Sequence, residues 1–417
     1  MMNEGMIFIV IGFMLASYSV VANDSIQTLG TFLHSNSHRK WWVLWLFSST
    51  IMVGVMVYGW LNYNGDVSYD RLDKVYSKMV DFKGAQKTLD TAADDSEAPY
   101  FPLVKEIEAG IKGSEEIYLA ENSQLEQHIA TYQPAIDALK EMIDSGELSD
   151  EQSEALNNVV LKTNEIVESM LIHRNVENFI KWYYIIPPIV LLFLTRWGFP
   201  VSTSFLILIT FQPAVLGSML TKSVMGYLLA FVVAIVVYLT VMRVFERKWR
   251  DQGEKGISPG WVVAQWCSTG FLWSMWLIQD MANIFVYVQR PLPLVGLILT
   301  ITWMVAVQAY IYFSKGGRIQ QIVQSKTNTH DIRSATIVDL IYGVVLYYFK
   351  IQSNIPMSTT WVFIGLLAGR EFAFSLAFKK DSLTLASASK LMGKDLGKVL
   401  VGLVVSIGLA YLVRALG

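Results

Sequence analysis

Two short polar phrases recur in this chain in the same order, each set in apolar sequence. Asn23-Asp24-Ser25-Ile26-Gln27 is followed by Pro200-Val201-Ser202-Thr203-Ser204, and Gln279-Asp280-Met281-Ala282-Asn283 by Pro356-Met357-Ser358-Thr359-Thr360. The first phrase reads amide-Asp-x-x-amide. Residues four apart on a helix share a face, so Asn23 with Gln27, and Gln279 with Asn283, stand together beside Asp24 and Asp280. A carboxylate with amide and loosened backbone carbonyls is a hard-oxygen set suited to Na+ or H+. One such aspartate could simply cap a broken helix or pair with a lysine. Two at equivalent places in apolar sequence point to a cation site, because an intramembrane carboxylate is costly without a function or a partner.

The second phrase has different chemistry. Proline sets up a helix start and Ser or Thr is a favoured N-cap. The helix beyond it offers free backbone N–H groups and the positive end of its dipole. Three adjacent hydroxyls turn each phrase into an uncharged oxyanion cradle, against the plainer reading of simple capping. The expected cation ligands are therefore Asn23, Asp24, Gln27, Gln279, Asp280 and Asn283, with Asp24 and Asp280 holding Na+. The expected anion ligands are Ser202, Thr203, Ser204, Ser358, Thr359 and Thr360.

The elements that must position these residues are membrane spans. Hydrophobic residues make up 53% of the 417 and charged ones 16%, which fits a polytopic membrane protein. Apolar runs place spans at 5–33, 41–63, 179–197, 200–220, 222–245, 261–288, 291–313, 334–351, 355–378 and 394–415. Residues 6–22 end in Val20-Val21-Ala22 like a cleavable signal, but Glu4 and the lack of Lys or Arg before them oppose that reading. Ten spans divide five and five, and an odd number per half makes the repeat inverted in topology, the signature of a secondary transporter. With the N-terminus outside, Arg39, Lys40, Arg196, Arg243, Arg247, Lys248, Lys315, Arg318, Lys379 and Lys380 all fall inside, as the positive-inside rule requires. Little more than Lys222, Arg290 and Lys350 falls on short outside loops. Trp41, Trp42, Trp60, Trp182, Tyr183 and Tyr184 are expected as interface anchors.

The net charge of −2 conceals an asymmetry. Residues 64–178 carry 24 acidic and 10 basic side chains, a net of −14, and the remainder a net of +12. Asp24 and Ser202 are 178 residues apart, but Asp280 and Ser358 only 78. An acidic insert of about that difference interrupts the first repeat. Its helical spacing, as in Leu156, Val159, Val160, Thr163, Ile166, Val167 and Met170, predicts three or four helices in a bundle, broken near 94–99 and 144–146. The fold class is thus an all-α polytopic membrane protein of about ten spans in two inverted repeats, plus a helical soluble insert. Its parts are 1–63 and 179–250 for the first repeat, 64–178 for the insert, and 251–417 for the second repeat.

These phrases resemble the inorganic phosphate transporter (PiT) family, whose signature is Gly-Ala-Asn-Asp-Val-Ala-Asn-Ala followed by Pro-Val-Ser-Thr-Thr-His, in two inverted copies. Ala22-Asn23-Asp24 keeps the first half of that signature and Asp280-Met281-Ala282-Asn283 the second. The resemblance covers roughly 1–63 and 179–417 and leaves the insert uncovered. It implies cation-coupled phosphate uptake, the Asn-Asp elements helping to bind Na+ and the Ser/Thr elements the anion. Gln27 and Gln279 depart from the family's asparagines, and Phe205 and Trp361 stand where it often has His. The loss of both histidines favours Na+ over proton coupling.

The function expected is a Na+-coupled symporter of inorganic phosphate working by alternating access. The alternatives are transport of sulfate or another oxyanion, or a membrane sensor whose insert binds a signal. The expected partners are phosphate or another oxyanion, Na+ and the lipid bilayer. No nucleic acid and no cofactor is expected, and a homo-oligomer is left open. The five histidines are scattered and Cys267 is the single cysteine, so neither a metal cluster nor an enzyme is expected. The location expected is the plasma (inner) membrane, multi-pass, with both termini and residues 64–178 extracytoplasmic. Two further features are Asp339, a weaker cation-site candidate, and Arg370-Glu371, read as a structural ion pair.

Overall fold

The computed structural model describes residues 4–72, 82–93, 96–119, 124–146, 148–174, 180–197, 199–242, 258–314, 332–352, 356–377 and 385–416. The chain divides into two compact units, one of Met1–Val75 with Ile180–Gly417 and the other of Tyr76–Phe179. Among the described residues all regular structure is helical.

The first unit holds α1 (Glu4–Ser35), α2 (Trp41–Asn62), α7 (Ile186–Arg196), α8 (Thr203–Phe211), α9 (Leu216–Val237), α10 (Pro259–Asp280), α11 (Ala282–Phe285), α12 (Leu294–Phe313), α13 (Ile332–Gln352), α14 (Thr359–Ala377) and α15 (Leu385–Leu416). Among the described residues six stretches are long and apolar enough to cross a membrane: Gly5–Asp24, Trp41–Asn62, Pro213–Thr240, Leu294–Phe313, Ile332–Gln352 and Leu385–Leu416. The other expected spans differ for local reasons. The 200–220 run is not one helix, because Gln212 leaves the helix and Pro213 starts a 3-10 turn, Pro213–Val215, that leads into α9. That leaves α8 with 9 residues, about 14 Å and half a hydrocarbon core. The 261–288 run ends its main helix at Asp280, within the polar phrase, and resumes only as the four residues of α11. By contrast α1 runs unbroken through Asn23 and Asp24.

The packing partners form a reciprocal set. Helix α9 lies along α14 while α8 lies against α15; α1 packs on α7 while α10 packs on α13; α1 touches α12 while α2 touches α10, and α2 meets α12. The α9–α14 approach depends on Gly365 and Gly369, one turn apart, where an added Cβ would collide with the carbonyl oxygens of Tyr227 and Phe231. Small residues at such spacing let membrane helix backbones approach closely. Trp41, Trp42 and Trp182 are exposed, but Tyr183 and Tyr184, expected as interface anchors, are buried. Tyr184 offers its carbonyl to the Tyr287 hydroxyl at 2.7 Å.

Residues 64–72, expected with the insert, belong instead to the first unit. The second unit contains α3 (Phe82–Ala92), α4 (Phe101–Leu119), α5 (Leu125–Asp144) and α6 (Asp150–Arg174). On α5, Leu125, Ile129, Tyr132, Ala135, Ile136 and Leu139 form one buried stripe, the pattern of an amphipathic helix closing a core. Leu156, Val159, Ile166 and Met170 of α6 join it. Each fully buried Leu or Ile contributes about 1.5–3 kcal/mol, so this small bundle has its own core. The turn at Gly146, with φ of 73°, falls where a break is expected, and the expected helical start over 73–81 lies outside the described residues.

Candidate functional site

Both Ser/Thr phrases become helix starts inside the first unit. Ser202 has extended backbone and its Oγ accepts from the Phe205 N–H at 3.2 Å. Ser358 does the same for the Trp361 N–H, also at 3.2 Å. The first residues of a helix have N–H groups without intrahelical partners, so α8 and α14 each bring a positive end to the same place. They face one another: the Phe205 and Trp361 rings lie 6.0 Å apart.

The contact between them is reciprocal. Ser204, fifth in its phrase, donates to the carbonyl of Met357, second in the other, at 3.2 Å. Thr360, fifth in the second phrase, donates to the carbonyl of Val201, second in the first, at 3.1 Å. Each phrase thus holds the other by the same pair of positions. The six hydroxyl residues, Ser202, Thr203, Ser204, Ser358, Thr359 and Thr360, are all buried.

The aspartate phrases abut these helix starts. Asp24 and Asp280 are fully buried and within electrostatic reach of each other. Asn23 donates to Asp24 Oδ1 at 2.7 Å and to the Val201 carbonyl at 3.2 Å, while the Thr195 hydroxyl donates to Asn23 Oδ1 at 3.2 Å. In the second copy Asn283 donates to Asp280 Oδ1 at 2.7 Å and lies 3.0 and 3.1 Å from the hydroxyls of Thr203 and Ser204. The Ser204 hydroxyl is also 3.1 Å from Asp280 Oδ1. Thr203 interacts with Asp24, and Thr359 with Asp280.

Four oxygens are left over by these bonds. Asp24 Oδ2, Asp280 Oδ2, Asn283 Oδ1 and Gln279 Oε1 are buried and have no hydrogen-bond partner among the described residues. Buried polar atoms are normally satisfied, so four of the six residues expected to bind a cation each leave an oxygen unused. The donors are carboxylate and amide oxygens, the chemistry of a hard cation. Gln279 is held by its amide, which donates to the Leu346 carbonyl at 3.1 Å. Gln27 lies on α1, but its side chain falls outside the described residues.

Four residues around the site were not singled out by spacing. Tyr342 donates to the Thr359 carbonyl at 2.9 Å and feels both Asp24 and Asp280. Thr195 orients Asn23, and Ser223 accepts from the Ser358 N–H at 2.9 Å. Arg71 reaches Asp280 electrostatically from the segment that follows α2. None belongs to a repeated phrase, so the duplication that reveals the core site is silent about them. Asp339 is different from the paired aspartates: its two oxygens accept from Thr31 at 2.7 Å and Thr269 at 2.6 Å. Arg370 lies 3.8 Å from Glu371 and over the Phe374 ring.

The site therefore combines two opposed helix starts rich in hydroxyls with two carboxylates that carry unpartnered oxygens, all from the two copies of the repeated phrases. No family model, curated protein or solved structure matches the chain.

Proposed function

We propose that this chain is a cation-coupled symporter of an inorganic oxyanion, with Na+ as the coupling ion and phosphate as the first candidate substrate. It works by alternating access between two inverted repeats of five spans. The reciprocal contact of the two Ser/Thr phrases carries the reading, because it is what an approximate two-fold axis through a shared site produces. The paired helix packing supports the same axis: α8 on α15 answers α14 on α9, and α1 on α7 answers α10 on α13.

The division of labour rests on charge. Asp24 and Asp280 repel each other in a dry site, and Coulomb interactions strengthen as the local dielectric falls. Cations on their free oxygens remove that repulsion and let an oxyanion approach the hydroxyls and N–H groups of α8 and α14. An anion arriving without cations would meet two carboxylates, and this is the physical basis of coupling. The two repeats then rock about the loaded site, with α8 and α14 moving as the half-helices that discontinuous transporter helices supply. The acidic insert lies outside the cytoplasm and the basic loops inside.

Asp24→Asn and Asp280→Asn test the cation assignment. Each is expected to abolish Na+-dependent phosphate uptake into proteoliposomes while leaving a monodisperse, helical protein. Uptake at the wild-type rate by both variants would remove these aspartates from the coupling site.

A further inference from the structure

We infer that Arg71 binds the oxyanion at the extracytoplasmic end of its path, an inference that rests on the symporter reading above. After α2 the chain turns back on itself. The Tyr63 and Gly65 N–H groups bond to the Gly59 and Trp60 carbonyls at 2.9 Å, and Asn64, Tyr69 and Asp70 adopt left-handed backbone. The Tyr69 ring covers Gly59, and its hydroxyl donates to the Val55 carbonyl at 2.7 Å. The hook is tied to the segment just beyond the second aspartate phrase: Leu292 N–H donates to the Gly65 carbonyl at 3.1 Å, and the Trp60 indole to the Leu292 carbonyl at 2.7 Å.

This hook delivers Arg71 into the interior. The side chain is fully buried, and none of its three guanidinium nitrogens has a hydrogen-bond partner among the described residues. A buried charge without a partner is strongly unfavourable. Asp66, one of two acids in the hook, is consumed locally, accepting from the Ser68 N–H at 2.7 Å and the Asp70 N–H at 2.9 Å. Lys222 and Lys350 both feel Arg71, and the Lys350 ammonium stands 5.4 Å over the Tyr69 ring. Asp280 is a carboxylate in electrostatic reach of Arg71. The pocket of charge is thus cationic, and Ser223 beside Lys222 touches the anion cradle through the Ser358 N–H. The end of α2, the start of α9 and the end of α13 all emerge on the same, extracytoplasmic side in the proposed topology. A guanidinium fork matches two oxygens of a phosphate-type anion, which supplies the acceptors that Arg71 lacks.

The test is thermal melting of the full chain in detergent, with inorganic phosphate and then sulfate, and after it uptake kinetics. Without anion, Arg71→Gln is expected to melt at or above the wild type, since it removes an uncompensated buried charge. Phosphate or sulfate should raise the wild-type melting temperature and leave that of Arg71→Gln unmoved. In proteoliposomes Arg71→Gln should raise KM for the anion at least tenfold, and Arg71→Lys should fall between. Collapse of Arg71→Gln without anion would make Arg71 a structural counter-charge and overturn the inference. So would equal melting shifts in both proteins, or a wild type that neither anion stabilises. Uptake in phosphatidylcholine vesicles with and without phosphatidylglycerol separates the two sources of phosphate chemistry; an effect confined to the anionic membrane would assign Arg71 to a lipid headgroup and overturn the substrate role. A wild type that anion stabilises but that shows no uptake would defeat the symporter reading and leave Arg71 as an anion ligand.

Discussion

At the scale of single residues, the centre of this molecule is a set of hydroxyls divided between two tasks. Ser202 and Ser358 are spent on capping, while Ser204 and Thr360 reach across to the opposite phrase. An intramolecular hydrogen bond of this kind contributes about 0.5–1.5 kcal/mol net. Ser204→Ala and Thr360→Val, each removing one cross-bond, should therefore lower thermal stability modestly and reduce the apparent anion affinity to a similar degree, within about threefold of each other on the scale such bonds set. Loss of affinity in one variant and none in the other would break the equivalence of the two phrases. Spacing in the sequence was enough to find these residues because each phrase occurs twice. Tyr342, Thr195 and Arg71 were not legible in the same way. Each meets the site only through the fold, and a lone Tyr or Thr in apolar sequence carries no signal of its own.

Helices and their breaks decide how the site is shared. The contact of α9 with α14 is set by backbone, since a Cβ at Gly369 would overlap the Phe231 carbonyl oxygen. Gly369→Ala should lower the melting temperature in detergent, with a cost of about 1–3 kcal/mol for overpacking. Gly408→Ala on α15, where an added Cβ meets nothing within 4 Å, should be neutral or slightly stabilising, because Ala is the better helix residue. Equal effects at the two positions would contradict the close approach. The apolar runs gave the positions of most helices to within a few residues, as with Trp41–Asn62 against 41–63. They misplaced the breaks. Hydropathy averages over a window, so it joined α8 to the start of α9 although Gln212 and Pro213 separate them, and it carried α10 past Asp280. Helix α10 also falls outside the six described stretches long and apolar enough to span a membrane; Gln265, Ser268, Thr269, Gln279 and Asp280 are buried along it.

For the whole molecule, a change of composition along the chain coincides with a physical boundary. The acidic stretch is a helical unit with its own apolar core, and the rest is the other unit, made from two separated pieces of chain. The boundary itself lies at 75/76, twelve residues beyond the expected one; the intervening hook is polar in sequence yet buries Val67, Tyr69, Arg71 and Leu72 in the first unit. Charge counting could not foresee that, since Asp66 and Arg71 look like surface residues until the hook is folded. Radiolabelled phosphate uptake is the measurement that decides whether two pseudo-equivalent halves carry an oxyanion together with a cation. The purified full chain would be reconstituted in proteoliposomes, with and without an inward Na+ gradient and with excess sulfate as competitor. A cation-coupled symporter shows uptake that rises with the Na+ gradient and collapses when the gradient is dissipated, with sulfate reporting which oxyanion the cradle prefers. Gradient-independent accumulation, or no transport of either anion by folded protein, would contradict it.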